Sequence, residues 1–302
     1  MVVLGDESGY TTTQNQKAKV AAMEGMWHTE PAPAPLTVIG FPSQERRETR
    51  RIIEIPWLLG LIATRSITTE LPGLFELVDQ AKSRIRRGIE GYVAVRQLRA
   101  NPQDSAARKL IADREDDLGY AMLLRRYVDD PAKASDQQIE QAAWDTVPHV
   151  PTLFWSFRVM VGLGFYFIAL FAVMFYVAAR RELDRRRWLL RVCFWSLPLP
   201  WVAAEVGWVV AEYGRQPWII EGVLPTFLAA SPISPANVWM SLIGFVLFYT
   251  VLLVVDLYLM VKYARIGPTE TWEVPDLAAR KVPPGGVTVD PTSLRPSPRP
   301  AE

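Results

Sequence analysis

The sequence has little of what compact metal and nucleotide sites are built from. Its one cysteine, Cys193, cannot form a disulfide within the chain, a cysteine-rich zinc site or an iron–sulfur cluster. Its two histidines, His28 and His149, have no partner at metal-ligand spacing, and we expect both to be solvated. No glycine-rich phosphate loop and no supported serine–histidine–aspartate set occurs. With 33 basic and 32 acidic residues, the charge balance also argues against nucleic-acid binding and against an acidic disordered chain.

Three long runs in the second half of the chain are almost free of charge. Residues 159–179 carry none, residues 188–211 carry only Arg191 and Glu205, and residues 238–261 carry only Asp256. A bilayer core about 30 Å thick is crossed by roughly 20 helical residues. The runs therefore predict transmembrane helices at about 155–179, 188–211 and 238–262, within residues 151–266, rather than three buried helices of a soluble protein.

Positive charge is distributed unevenly around these runs. The short link between the first two is surrounded by Arg180, Arg181, Arg185, Arg186, Arg187 and Arg191. Lys262 and Arg265 follow the third run, whereas the link between the second and third carries only Arg215. Because basic residues in short loops stay in the cytoplasm, we expect a cytoplasmic C-terminus and extracytoplasmic residues 1–150. Residues 267–302, rich in proline and glycine, predict a disordered cytoplasmic tail.

The polar residues 1–150 are expected to be mostly helical. Apolar residues recur at helical spacing over 75–98 and over 106–127, and residues 14–27 have an amphipathic pattern. Prolines at 31, 33 and 35 predict an extended stretch. Residues 52–63 are apolar but too short to span a bilayer, so we expect them to lie in the membrane interface or to pack in a small core.

Ionisable residues in a membrane are expensive and by default indicate function. Trp201, Glu205, Trp208 and Glu212 follow one another at spacings that place them on one helical face, and Arg215 comes three residues later. Two carboxylates beside two large aromatics suit a proton path or a metal ligand next to a planar cofactor. The alternative for Glu212 is a helix-end carboxylate wetted by lipid headgroups, and Asp256 is either a bundle-facing polar contact or a member of a proton relay.

Met160 shares a helical face with Gly164, one turn later, which leaves room for a flat group. A thioether is a known axial haem ligand, although a lone methionine in a membrane helix more often only packs. Pro198 and Pro200 are expected to kink the second membrane helix.

Three motifs occur in order along the chain. They are Gly5-Asp6-Glu7-Ser8-Gly9-Tyr10, Phe157-Arg158-Val159-Met160-Val161, and Glu205-Val206-Gly207-Trp208-Val209-Val210-Ala211-Glu212-Tyr213-Gly214-Arg215-Gln216-Pro217-Trp218. In these motifs and their spacing, nearly all of residues 4–268 resembles subunit I of the cytochrome bd ubiquinol oxidase family. The fold class implied is an all-α membrane protein, in which three transmembrane helices of a larger bundle follow a mostly helical extracytoplasmic quinol-binding loop region at 1–150.

The resemblance implies an electrogenic quinol:oxygen oxidoreductase of the bacterial inner membrane, with residues 1–150 periplasmic. It implies haem b558, haem b595 and haem d, ubiquinol or menaquinol as substrate, and a proton gradient built without pumping. Met160 is implied as an axial ligand of haem b558 with Arg158 beside it, and Glu212 as a ligand of a high-spin haem. Trp208 and Arg215 are implied to belong to the environment of that haem, and Lys19, Glu24 and Asp6 to quinol oxidation. Glu205, on the same helical face as Trp208 and Glu212, is the further catalytic candidate from the residue pattern. The implied partners are subunit II, a small accessory subunit, O2 and lipid.

One departure from the family pattern is expected to matter. Family members carry further membrane helices, with histidine haem ligands, before the Gly-Asp-Glu-Ser-Gly-Tyr motif, and neither His28 nor His149 matches those ligands. The chain is thus expected to be a C-terminal portion of the long quinol-loop type, in which residues 50–140 correspond to the insertion. Two alternatives stay open: a membrane-anchored binding or assembly module without redox activity, and a cyanide-insensitive quinol oxidase that lacks haem d.

Overall fold

The computed structural model describes residues 2–266, without the side chains at positions 2, 3, 184 and 266. The predicted tail at 267–302 lies outside the described residues. Contacts divide the chain into two compact units, one up to Ala230 and one from Ser231 onward. The predicted fold class is confirmed, because the described residues are mostly helical and include three long apolar helices.

The described residues up to 149, called the outer region because the charge pattern predicts that they lie outside the cytoplasm, form seven helices, several short 3₁₀ turns and one β-hairpin. In chain order these elements are α1 (Val2–Asn15), α2 (Lys17–Glu24), β1 (Leu36–Ser43), β2 (Glu48–Ile55), α3 (Leu58–Thr64), α4 (Leu74–Ala100), α5 (Ser105–Arg114), α6 (Leu118–Met122) and α7 (Asp136–Trp144). The periodicity over 75–98 correctly predicted α4. The pattern over 106–127 is divided between α5 and α6 by a 3₁₀ turn at Glu115–Asp117.

The hairpin of β1 and β2 was not predicted. The strands pair antiparallel from Leu36 opposite Ile55 to Ser43 opposite Glu48. Residues 52–63, expected to lie in the membrane interface or to pack in a small core, divide between two elements, since the first part completes β2 and the remainder forms α3. The β-branched residues Ile52, Ile53 and Ile55 favour a strand, which explains the division. The expected core packing is found in α3, where Leu59 and Ala63 are buried in a hydrophobic cluster.

The core of the outer region has two buried clusters, and both receive residues from α4. One gathers α2, α3 and the start of the first membrane helix around Leu74, and the other gathers α6 and α7 around Ile85. Glycines at 88 and 91 allow α4 to approach the following elements closely, since a Cβ at Gly88 would lie 2.2 Å from the Asp117 carbonyl oxygen. The first membrane helix, α8 (Val150–Ala179), buries Val150, Leu153 and Phe154, so it starts inside this core.

The second membrane segment is broken at the predicted prolines. It consists of α9 (Arg187–Ser196) and α10 (Leu199–Glu212), which meet at Leu197 and Pro198. Proline lacks the N–H that would continue the helical ladder, and its ring clashes with the preceding turn. The segment packs back on α8, where Leu170 and Val177 contact Leu189 and where the Tyr166 hydroxyl lies 2.5 Å from Ser196 Oγ.

A short hairpin and a single long helix complete the described chain. The hairpin pairs β3 (Trp218–Ile220) with β4 (Leu224–Pro225). In the second unit, α11 (Pro235–Ile266) is 32 residues long and carries Asp256 on an exposed position. By length and composition, Val150–Ala179, Arg187–Arg215 and Pro235–Arg265 can each cross a bilayer.

Candidate functional site at the outer ends of two membrane helices

Arg158 is the centre of the hydrogen-bond network at the head of α8. Its guanidinium donates to the backbone carbonyls of Met23 at 2.7 Å and Phe154 at 3.0 Å, and to those of Thr37 and Val38 in β1. It also donates to the Glu24 carboxylate at 3.0 Å. A planar guanidinium has five N–H donors in a fixed fork, which is why one side chain can join α2, β1 and α8.

Glu24, at the end of α2, is the buried partner of Arg158. Only 3% of its side chain and 12% of that of Arg158 are exposed. Burial raises the pKa of Glu24, although the nearby charge and hydrogen bonds of Arg158 oppose that rise. The carboxylate therefore accepts a proton more readily than an exposed glutamate does. α2 ends at Gly25, whose φ of 65° is a left-handed conformation that favours glycine.

Lys19 lies on α2 but contacts a different membrane helix. Its ammonium donates to the Ala211 carbonyl in the last turn of α10 at 3.2 Å, where a cation is favoured by the helix dipole. Gly214 leaves room for the aliphatic part of the Lys19 side chain, because a Cβ at Gly214 would lie 3.2 Å from Lys19 Cγ and Cε. Burial and then the charge of Arg215 lower the pKa of Lys19. α2 thus connects the outer ends of α8 and α10.

Glu212 and Arg215 form an ion pair just beyond this contact, with 3.3 Å between Glu212 Oε1 and Arg215 Nη2. The Nε–H of Arg215 is buried and, among the residues described, has no hydrogen-bond partner. Buried donors are normally paired, so this atom points to a group from outside the described chain. The predicted stripe of Trp201, Glu205 and Trp208 is exposed along α10, with Trp208 61% accessible.

Met160 lies where α8 and α10 approach each other. A Cβ at Gly207 of α10 would lie 3.2 Å from the Met160 sulfur, so that glycine makes room for the thioether. On α8 itself, a Cβ at Gly162 or Gly164 would meet no atom of the described residues within 4 Å. The structure therefore leaves open the helix face that the sequence associates with a flat group.

The remaining predicted residues lie elsewhere. Asp6 on α1 is exposed and pairs with Arg65 at 2.6 Å, in a contact that Glu7 shares. His28 is exposed and stacks on Phe75, and the ring of His149 bonds to Thr152 at 2.8 Å. Within residues 2–266, no cluster of three or more histidine, cysteine, aspartate or glutamate side chains could hold a metal ion.

Glu221, in the turn of the β3–β4 hairpin, was missed by the sequence analysis. It lines a cavity of about 730 Å³ together with Arg84 and Arg215. Burial raises the pKa of Glu221 to about 7, against the opposing charges of Lys19 and Arg84. The available signal was its position, because Glu221 is the one acidic residue between Arg215 and the third apolar run.

Fold and site together describe a membrane protein in which a mostly helical region up to residue 149 packs against the ends of two apolar helices. The family profile described as cytochrome bd terminal oxidase subunit I matches residues 1–268. The chain therefore belongs to that family.

Curated relatives agree with this assignment. The chain is 40% identical over 266 residues to cytochrome bd-II ubiquinol oxidase subunit 1 of Escherichia coli strain K12, which covers 88% of this chain and 52% of the relative. It is 23% identical over 255 residues to cytochrome bd ubiquinol oxidase subunit 1 of Bacillus subtilis strain 168, covering 84% and 42%. A putative cytochrome bd menaquinol oxidase subunit I of the same organism is 24% identical over 269 residues, covering 88% and 45%. The chain spans about half the length of the curated relatives it matches.

Proposed function

We propose that the chain is part of subunit I of a bd-type terminal oxidase, which oxidises quinol at the outer face of the bacterial inner membrane and reduces O2 to water. The main support for this proposal is that α2 contacts both α8, which carries Met160, and α10, which carries Glu212. Glu24 binds Arg158, two residues before Met160, and Lys19 binds the carbonyl preceding Glu212. A group oxidised beside α2 is therefore close to the outer ends of both helices.

We assign quinol oxidation to Lys19 and Glu24, and call the part of α2 that carries them the quinol end. These residues are five positions apart on α2, which places them roughly 140° apart around the helix axis. They therefore do not both bind one small group from a single face of α2. They contribute separately: the Lys19 ammonium donates to an oxygen at the end of α10, and the buried Glu24 carboxyl accepts a proton at the head of α8. The exposed Asp6 belongs to the start of the same loop region.

The residues present fit haem. Met160 offers a thioether in a gap made by Gly207, and Glu212 offers a carboxylate beside Arg215, whose unpaired Nε–H suits a propionate. We assign Met160 to haem b558 and Glu212 to a high-spin haem, with Trp208 and Glu205 on the same face of α10. When bound, the haems supply electron carriage and O2 reduction. The side chains of this chain hold the groups and balance their charge.

The remaining assignments follow from the family and from the charge pattern. The oxidase contains haem b595 and haem d besides haem b558, uses ubiquinol or menaquinol, and includes subunit II and a small accessory subunit as partners of this chain. The arginine-rich link between α8 and α9 and the C-terminus are cytoplasmic, and the outer region is periplasmic. Because quinol protons leave outside and the protons for water enter from the cytoplasm, turnover charges the membrane without a pump.

The test is a comparison of membranes with and without this chain, in a host that expresses the other oxidase subunits. We expect b-type and d-type bands in the reduced-minus-oxidised spectrum, and oxygen consumption driven by a short-chain ubiquinol or menaquinol, only when the chain is present. Pyridine haemochrome analysis then tells haem d from a third haem b. Colourless membranes without quinol-dependent oxygen consumption would favour the redox-inactive membrane anchor.

A further inference from the structure

The cavity beside Glu221 is wide, polar and rich in charge. Its volume is about 730 Å³, and its walls come from α2, α4, α6, the 3₁₀ turns and the β3–β4 hairpin. The cationic groups that face Glu221 or its cavity are Lys17 and Lys19 of α2, Arg84 of α4 and Arg215 after α10. The other titratable groups are Glu115, Asp116 and Tyr120. Because charges of both signs line the cavity, they indicate that it is hydrated rather than apolar.

Backbone contacts fix the turn that carries Glu221. Gly222 has a φ of 73°, a left-handed conformation that favours glycine. Its carbonyl packs against Gly119 so closely that a Cβ at Gly119 would lie 2.0 Å from the oxygen. Trp218, at the start of β3, is buried with its ring centroid 5.0 Å from that of Tyr120. The turn is therefore held against α6, with Glu221 on the cavity wall.

Glu221 differs from the other carboxylates around the cavity. It is half-buried, whereas Glu115 and Asp116 are exposed. No ion pair within 4.0 Å involves Glu221 among the residues described, because the nearby cations are engaged elsewhere: Arg84 with Asp117, and Arg215 with Glu212. With its pKa raised to about 7 by burial, Glu221 gains and loses a proton in the neutral range.

An orphaned polar atom on the wall indicates that the cavity holds water. Gln16 lines the cavity. Its Oε1 is buried and, in the part of the chain that the structure describes, has no hydrogen-bond partner. Buried polar groups require partners, and a roomy polar cavity obtains them from water. Lys19 is close enough to Glu221 for its charge to oppose the rise in the pKa of Glu221, and its ammonium is held at the end of α10.

We propose that Glu221 accepts a proton that quinol oxidation releases near Lys19 and passes it through the cavity to the outer solution. The proposal rests on the proposed quinol oxidase function. Each quinol gives up two electrons and two protons as it becomes quinone, and the electrons pass to haem. One proton goes to Glu24, and the other converts the Glu221 carboxylate into the carboxylic acid, which returns to the carboxylate by giving the proton to water in the cavity.

The decisive variant is Glu221→Gln in the assembled oxidase. In the wild type, quinol-driven oxygen consumption should rise as pH increases through about 7, because only the carboxylate accepts a proton. The variant should lose this rise and be about tenfold slower at pH 8. This loss is smaller than the roughly 100-fold or more that an acid–base group typically contributes, because water partly replaces Glu221 as the proton acceptor. Its haem spectrum and its oxygen consumption with tetramethyl-p-phenylenediamine, an electron donor that releases no protons, should stay at wild-type values. Glu45→Gln, a matched change at an exposed site, should behave as wild type.

An infrared titration provides a readout that needs no turnover. The carboxylic acid C=O band of Glu221 should appear with a midpoint near pH 7 and be absent from Glu221→Gln. Glu221→Asp, which keeps the carboxyl group on a side chain one methylene shorter, should retain a pH-dependent rate with a shifted midpoint. This variant tests the proton role of Glu221 if the glutamine variant does not assemble.

Unchanged pH profiles in these variants, or equal slowing with both electron donors, would overturn the proton role alone. A wild-type oxidase that consumes no oxygen with quinol would instead contradict the function on which that role rests.

Discussion

Arg158 donates to the carboxylate of Glu24 across 134 residues of sequence, with 3.0 Å between the two groups. Both side chains are nearly withdrawn from solvent, so the pair has little access to water as an alternative partner. The same guanidinium holds β1 through the Thr37 carbonyl. The pair therefore fixes the position of the proposed quinol end of α2 relative to the helix that carries Met160.

Removing Arg158 should leave Glu24 buried without its counter-charge. We expect Arg158→Met to destabilise the packing of α2 and β1 by about 3–5 kcal/mol, and the double variant Arg158→Met/Glu24→Leu to be less destabilised than Arg158→Met alone. Hydrogen exchange of peptides from α2 and β1 in the assembled oxidase measures this. Arg96→Met, which breaks an exposed pair with Asp130, is the control and should have a much smaller effect, because solvent screens that pair. Strictly additive effects of the two changes would contradict the coupling.

Asp117 should make the outer region sensitive to acid. It accepts hydrogen bonds from Arg84 at 2.7 Å and Arg87 at 2.6 Å. Burial alone would raise the pKa of Asp117, but these hydrogen bonds outweigh it and hold the pKa below its usual value. Because the folded pKa is depressed, the contribution is complete above about pH 4 and is lost as pH falls through the folded value.

Asp117→Asn should therefore cost about 1.5–3 kcal/mol at neutral pH, and this cost should shrink as pH falls through the depressed folded pKa of Asp117. Hydrogen exchange of the α4 and α6 peptides, measured from neutral pH downward, checks this. Asp113→Asn, at an exposed position of α5, is the matched control and should have no effect at any pH in the series. A cost that stays constant down to acid unfolding would show that the charge of Asp117 is not the cause.

Gly119 tests the placement of the hairpin turn independently of any activity. A methyl group there would collide with the Gly222 carbonyl, so one of the two segments must move. We expect Gly119→Ala to cost about 1–3 kcal/mol, as overpacking typically does, and to increase hydrogen exchange in β3 and β4. Gly9→Ala on α1, where a Cβ meets no described atom within 4 Å, should not be destabilising. Equal exchange in both variants would contradict the tight contact.

Local pattern predicted the long elements but not the contacts that form the site. α8, α11 and α4 follow from uncharged length or from periodicity, and the break before α10 follows from Pro198. The β1–β2 hairpin had a weak signal, because the short apolar run 52–63, which supplies the end of β2, continues into α3 and was considered as one segment. It is held by Arg158, which lies more than a hundred residues later.

The proximity of Lys19 to Glu212 could not be predicted from the sequence either. The two positions are far apart along the chain, and this distance suggested separate regions. In the structure, Lys19 binds the carbonyl of Ala211, directly before Glu212. Long-range contacts of this kind depend on how α2 packs against distant segments, and such packing produces no periodic pattern in the sequence.

The two haem assignments predict opposite spectral losses. Glu212→Ala should remove the high-spin haem bands and oxygen reduction while the low-spin band remains, since Arg215 then lacks its charge partner at 3.3 Å and the iron lacks its carboxylate. Met160→Ala should weaken or shift the low-spin band and leave the high-spin bands. Reduced-minus-oxidised spectra of the assembled oxidase measure both. Loss of the low-spin band in Glu212→Ala with high-spin bands retained would reverse the assignments.

The central claim is that α2 is the quinol end of the protein, and oxygen consumption by Lys19→Ala and Glu24→Ala tests it most directly. Each variant should lose most quinol-driven activity while its haem spectrum and its activity with tetramethyl-p-phenylenediamine persist. Lys109→Ala, at an exposed position of α5, should match the wild type. Wild-type quinol kinetics in both α2 variants would contradict the account.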